Sequence, residues 1–202
     1  MSAPEPHGPA APPLSVSHWF NTDVALSLAQ LRGRVVLLHA FQMLCPACVS
    51  HGLPQAVKVH RAFPRSEVVV VGLHSVFEHH EAMAPHALQA FLGEYRIPFP
   101  VAVDLPSPRG PIADPVPTTM QAYGLRGTPS LVLIDQRGII RLQHFGLIED
   151  LQLGVMLGRL VAELAPRQEE TSRSSASDGG NDGAPGAVDG SGCTPLQCPV
   201  IR

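Results

Sequence analysis

The feature that most constrains the fold lies between residues 34 and 73. Arg34-Val-Val-Leu-Leu-His-Ala-Phe41 is a nearly unbroken apolar run of strand length, and it leads within four residues to Cys45-Pro46-Ala47-Cys48. An apolar run without alternation suits a central parallel strand covered on both faces. From Pro46 the pattern turns helical through about Ala62, and a proline fits the first turn of a helix, where its missing N–H would have had no partner. Pro54 falls inside that helix and is expected to kink it, because it removes a backbone hydrogen bond and crowds the preceding turn. Glu67 to Leu73 is a second buried strand. Residues 34–73 therefore read as a right-handed βαβ unit with a cysteine pair where the first strand hands over to the helix.

The rest of the chain can be read around that unit. Val16 to Phe20 and the amphipathic stretch Val24 to Leu31 look like a lead-in packed on the domain. Pro85 to Tyr95 is an expected helix, Pro100 to Val103 a short strand, Leu105 to Pro117 a proline-rich loop and Thr118 to Tyr123 a brief helix. Ser130 to Asp135 and Ile139 to Phe145 flank Gln136-Arg137-Gly138 and read as a hairpin, and an amphipathic helix follows from about Asp150 to Leu164. The fold class is thus α/β, a central mixed sheet flanked by helices. Hydrophobic residues make up 45% of the 202, enough for one domain, while 21 prolines and 18 glycines exceed the usual share, and most of that excess sits at the two ends. Three parts are expected: a disordered segment 1–15, a domain 16–165, and a flexible tail 166–202 ending in Cys193-Thr-Pro-Leu-Gln-Cys198.

Charge and targeting signals exclude several classes. A net charge of -3 without a Lys/Arg cluster argues against nucleic acid as a partner. No apolar stretch reaches the roughly 18 residues needed to span a bilayer. Met1 to Pro13 has neither a basic region nor an apolar run, so a cytoplasmic protein is expected. Four cysteines in two close pairs in such a chain point to redox or metal chemistry before structural disulfides.

Two cysteines three residues apart at a helix start can close a small disulfide, and the unpaired N–H groups there favour a thiolate on the first. Cys45 is thus the candidate nucleophile, and Cys48, one turn further in, the candidate resolving thiol. Strand, then Cys-x-x-Cys, then helix, with a later Gly-Thr-Pro before a hairpin, is an order hard to obtain by chance.

On these residues the chain resembles the thioredoxin-like proteins of the TlpA/ResA and redoxin (AhpC/TSA-like) type. The likeness rests on GRVVLLHAFQMLCPAC from Gly33 to Cys48, on YGLRGTPSLVLIDQRG from Tyr123 to Gly138, and on PFPVAVD from Pro98 to Asp104; it spans roughly Val16 to Leu164. The resemblance implies a thioredoxin-like fold, thiol–disulfide oxidoreductase activity, and a cis-proline at Pro129 preceded by Thr128, whose backbone lies against the cysteine pair and can pair with an extended substrate. It implies no organic cofactor, and partners that are a protein or small-molecule disulfide and a thiol reductant. The family commonly has Trp before the first cysteine, where this chain has Leu44, and Trp19 is its only tryptophan. His39 stands where thioredoxins carry a buried acid; a neutral imidazole there could take the proton from Cys48, and the other reading is a histidine packed within the strand. His51 admits the same two readings, a functional group one turn beyond Cys48 or a solvated helix residue.

Two rival functions remain open. Peroxiredoxins carry Pro-x-x-x-Thr/Ser-x-x-Cys, and this chain has Leu38 and Gln42 at those places, which argues against an efficient thiol peroxidase. Cysteine thiolates with a distant histidine, such as His144 or His74, could instead serve a copper or zinc carrier, although the spacing of Cys45 and Cys48 is shorter than such carriers use. His74, His79, His80 and His86 form a loose cluster more consistent with chance in a surface loop. The tail pair hangs on a linker of about 27 residues with a root-mean-square span of about 28 Å, enough to reach Cys45 at millimolar effective concentration. An intramolecular redox relay is therefore an expectation alongside a tail that only carries two exposed thiols.

Overall fold

The computed structural model describes residues 8–163. β2 (Val35–Phe41) and β3 (Val68–His74) are buried at every position. Aliphatic side chains on both faces leave no side for water, which is why neither strand alternates. They pair in parallel from Val35 opposite Val68 to Phe41 opposite His74. β4 (Val101–Asp104) continues the parallel set beside β3, and β1 (Val16–Phe20) closes that edge antiparallel to β4. On the other side β5 (Ser130–Ile134) runs antiparallel to β2, and β6 (Ile140–Phe145) antiparallel to β5. The order is β1-β4-β3-β2-β5-β6, a mixed sheet of six strands.

Helices cover it: α1 (Leu53–Ala62), α2 (Pro85–Glu94), the short α3 (Gly110–Ala113) and α4 (Thr118–Ala122), and α5 (Asp150–Ala162). One sheet face carries Val35, Leu37, Phe41, Val68 and Val70 against Cys48, Leu53 of α1 and Leu157 of α5. The other carries Val36, Leu38, Val69 and Val71 against Leu28, Leu31 and Tyr123. Because β2, β3 and β4 are parallel, their C-terminal ends, and the loops that follow Phe41, His74 and Asp104, share one edge of the sheet.

Two expectations change. The lead-in Val16–Phe20 is a paired edge strand. The segment expected to be disordered up to residue 15 joins the fold from its described start: Ile140 N–H donates to Pro9 O (2.9 Å), Ala11 N–H to Gly138 O (2.9 Å), and Tyr123 Oη to Pro12 O (2.7 Å). Composition misleads here because a proline run is already extended. Ordering it costs little entropy, and its carbonyls remain acceptors for an edge strand. The expected kink at Pro54 takes a specific form, a π-helical turn over Cys48–Gly52 immediately before α1.

Candidate active site

The loop after β2 delivers Cys45 and Cys48 to the C-terminal edge of the sheet. They are joined as a disulfide with 5.2 Å between their Cα atoms. The pair is asymmetric: Cys48 is 0% exposed, packed in the core, while Cys45 is half-buried at the surface. The Cys48 N–H points at Cys45 Sγ (3.2 Å), one of the helix-start donors that would stabilise a thiolate on Cys45. Leu44, beside it, is 56% exposed.

Opposite the pair lies the turn into β5. The Thr128–Pro129 peptide is cis, and Thr128 O stands 3.5 Å from Cys45 Sγ, where it can accept the S–H of a reduced thiol. Both flanks of this turn are tied down: Ser130 Oγ donates to Gly127 O (2.7 Å) and Gly146 N–H to Pro129 O (2.8 Å). A Cβ at Gly127 would lie 2.8 Å from the Phe145 ring, which is 53% exposed and would have to swing outward to admit it. Beside the π-turn runs an open groove of about 480 Å³, lined by His51, Pro54, Gln55, Leu147, Ile148 and Leu151.

His39 points from β2 into the face that carries the cysteine helix. It is 3% exposed, its Nε2 has no hydrogen-bond partner, and burial pushes its pKa down to about 4, so the ring is neutral at physiological pH. Phe41 lies parallel to it at 6.1 Å between ring centres. On its outer side the ring meets Gly52, the last residue of the π-turn, and a Cβ built there would also stand 3.4 Å from Pro129 Cβ. Gly52 thus joins the cysteine helix, His39 and the Pro129 turn, a role that the motifs did not reveal. The available signal was a glycine inside a helical pattern, which costs about 1 kcal/mol against alanine and so calls for a reason.

The other nominated residues lie apart from this centre or play lesser parts in it. His51 is exposed, with Ser50 Oγ 2.6 Å from its Nδ1. His74 is buried in the sheet beside Phe41 with both ring nitrogens unpartnered, and burial lowers its pKa to about 4. His144 sits on β6 with Nε2 2.8 Å from Leu147 O. Among the described residues, no group of three or more His, Cys, Asp or Glu side chains is gathered as a metal site would require. Leu38 faces the opposite side of the sheet from the cysteines. Cys193 and Cys198 lie outside the described residues.

Comparison with known proteins agrees with this geometry. The structure is similar to that of the thioredoxin-like superfamily protein SPOA0173, at 54% identity over 78% of this chain and 99% of that one, with a TM-score of 0.74. It is also similar to a thiol-disulfide isomerase from Corynebacterium glutamicum, at 49% identity over 78% of this chain and 98% of that one, with a TM-score of 0.72. The thiol-disulfide oxidoreductase ResA of Halalkalibacterium halodurans is 25% identical over 123 residues, which is 60% of this chain and 60% of that protein. The AhpC/TSA family model matches residues 8–143, the stretch that builds all of β1 to β5, the cysteine helix and the Pro129 turn. The chain therefore belongs to the AhpC/TSA family, with a thioredoxin-like fold.

Proposed function

We propose that the protein is a thiol–disulfide oxidoreductase that works through Cys45 and Cys48. The observation that carries this is the asymmetry of the pair, a half-buried Cys45 with the Cys48 N–H aimed at its sulfur and a fully buried Cys48 behind. In the reducing direction the Cys45 thiolate attacks a substrate disulfide, forms a Cys45–substrate S–S bond and expels one substrate thiolate. Cys48 then loses its proton and attacks Cys45 Sγ. The Cys45–Cys48 disulfide forms, the second substrate thiolate leaves, and two electrons have passed to the substrate. The reverse sequence oxidises a dithiol.

His39 is the proton acceptor for Cys48 in this reading: it is buried on the same face with no partner on Nε2, and since burial makes the ring a weak base, the proton passes only as the Cys48–Cys45 bond forms. Thr128 and Pro129 form the opposite wall of the substrate groove, where an extended polypeptide can lie against the Cys45 sulfur. Partners are a disulfide substrate, protein or small molecule, and a thiol reductant, in a cytoplasmic setting that keeps thiols reduced. Cys193 and Cys198 complete the proposal as a second pair that exchanges with Cys45 on its tether. A peroxidase is disfavoured, since Leu38 is turned away from Cys45 and Gln42 offers an amide where a peroxide site needs a hydroxyl.

Replacing Cys48 by serine removes the resolving step, so Cys45 is expected to accumulate as a mixed disulfide with substrate, identifiable by mass spectrometry. Absence of any Cys45 adduct in a protein that is otherwise folded would contradict the assignment. In the same variant a Cys45 linkage to Cys193 or Cys198 is expected if the tail relays electrons, and its absence in every single-cysteine trap would remove the relay alone.

A further inference from the structure

The π-turn has a cause in the sequence and a consequence at the site. Pro54 has no N–H to continue the α-helical ladder, and the chain responds with one wide turn in which Leu53 N–H donates to Cys48 O, five residues back. Cys48 and Gly52 bracket that turn, and both are buried. A Cβ at Gly52 would stand 2.6 Å from His39 Cε1 and 2.8 Å from His39 Nε2. Both distances are well inside van der Waals contact, and the ring has little room to retreat, because it is buried with Phe41 parallel to it on the same strand. The missing side chain is therefore the space that His39 occupies. Gly52 is not held by backbone need: its φ is -61°, ordinary right-handed helix that alanine would favour.

We infer that Gly52 is a positioning residue for disulfide exchange: its bare Cα lets the wide turn seat on the His39 imidazole, holding Nε2 against the helix that carries Cys48. The inference rests on the proposed role of His39 as the acceptor of the Cys48 proton. In the step concerned, the Cys48 S–H bond breaks and its proton passes to His39 Nε2. The electron pair left on sulfur forms the bond to Cys45 Sγ, and the substrate sulfur leaves with the pair from the broken S–S bond. A side chain at position 52 displaces either the helix or the ring and separates donor from acceptor, without touching Cys45.

The two half-reactions can be read separately with Ellman's reagent, because the first thionitrobenzoate released reports attack by Cys45 and the second reports resolution by Cys48. The full chain with Cys193→Ser and Cys198→Ser is used, so that only the active pair reports. Gly52→Ala is expected to slow the second release by about a hundredfold, the low end of the range for general acid–base assistance, and to leave the first within about twofold. His39→Ala is expected to slow the second release comparably, and the double variant to be no slower than His39→Ala, since the ring that alanine strikes is gone. Thermal unfolding gives an independent sign: Gly52→Ala should lower Tm in the parent and raise it in the His39→Ala background. A Gly52→Ala protein that resolves at the parent rate overturns the inference, as does an equal slowing or an equal Tm shift in both backgrounds. If His39→Ala itself resolves at the parent rate, the acceptor role fails, and the Tm reversal then still decides whether Gly52 makes room for the ring.

Discussion

At the residue scale the most consequential groups are two histidines that the sheet holds neutral. His39 and His74 each have a pKa lowered by burial from 6.5 to about 4. The unfolded chain binds protons on these side chains between those values and the folded chain does not. Their contribution to stability is therefore fully present above pH 6.5 and lost as pH falls toward 4. Each could contribute at most about 3 kcal/mol over that window, at 1.36 kcal/mol per pKa unit. Urea unfolding at pH 7 and pH 5 is expected to show a marked loss of stability at the lower pH, and His74→Leu to flatten part of the slope. An unchanged slope in His74→Leu would contradict a neutral, buried His74. The sequence placed His39 near the cysteines through strand register, six residues before Cys45. It could not show that Gly52 faces the ring, since that contact depends on an extra residue in one helical turn, and it left His74 in a loose surface cluster although the side chain is in the core.

At the scale of elements, the edge that carries the site is fastened by Asp104. This carboxylate ends β4 and is 3% exposed; it accepts Thr119 N–H (2.8 Å), Met120 N–H (3.0 Å) and Ser75 Oγ–H (2.9 Å), joining the end of β4 to the start of α4 and to the residue after β3. Burial raises its pKa and these hydrogen bonds oppose the rise. Asp104→Ala leaves two buried N–H groups without a partner and is expected to cost about 2–3 kcal/mol in chemical denaturation. A loss below about 0.5 kcal/mol would mean that water satisfies those groups as well. The residue stood in the sequence only as the end of a short apolar strand, because its partners lie 15 or more positions away on either side. By contrast, the turn from Asp135 to Gly138 was legible. Asp135 Oδ1 accepts the N–H of Arg137 and of Ile139, and Gly138 takes φ 77°, the side-chain and backbone chemistry that Asp and Gly bring to tight turns.

At the scale of the whole molecule, the parallel centre and the β5–β6 hairpin were readable, and the border at β1 and the proline-rich segment was not. β2 and β3 are continuous aliphatic runs, and the crossover between them admits one hand, so their pairing and the edge that carries the cysteines follow from local pattern. That border is set by contacts distant in sequence: β1 finds β4 more than eighty residues away, and the proline-rich segment at Pro9 to Pro12 lies along the Asp135–Ile140 turn and Tyr123. Those stretches carry too few apolar residues to announce a strand. Removing residues 1–11 is expected to lower Tm by a few degrees, corresponding to about 1 kcal/mol for lost edge hydrogen bonds and uncovered Ile140. An unchanged Tm would mean that the segment adds nothing to the fold.

The central claim is that Cys45 and Cys48 form a reversible two-electron couple. Its most direct test equilibrates the full-length protein in glutathione buffers of graded potential and counts free thiols on each cysteine by alkylation and mass spectrometry. Cys45 and Cys48 are expected to change together in a single transition, with a midpoint between about -270 and -120 mV, the span of dithiol oxidoreductases. A value near the lower bound would mark a reductant, and one above about -200 mV an oxidant or isomerase. Two cysteines that alkylate independently, or a pair that stays reduced or oxidised across the whole range, would contradict the account.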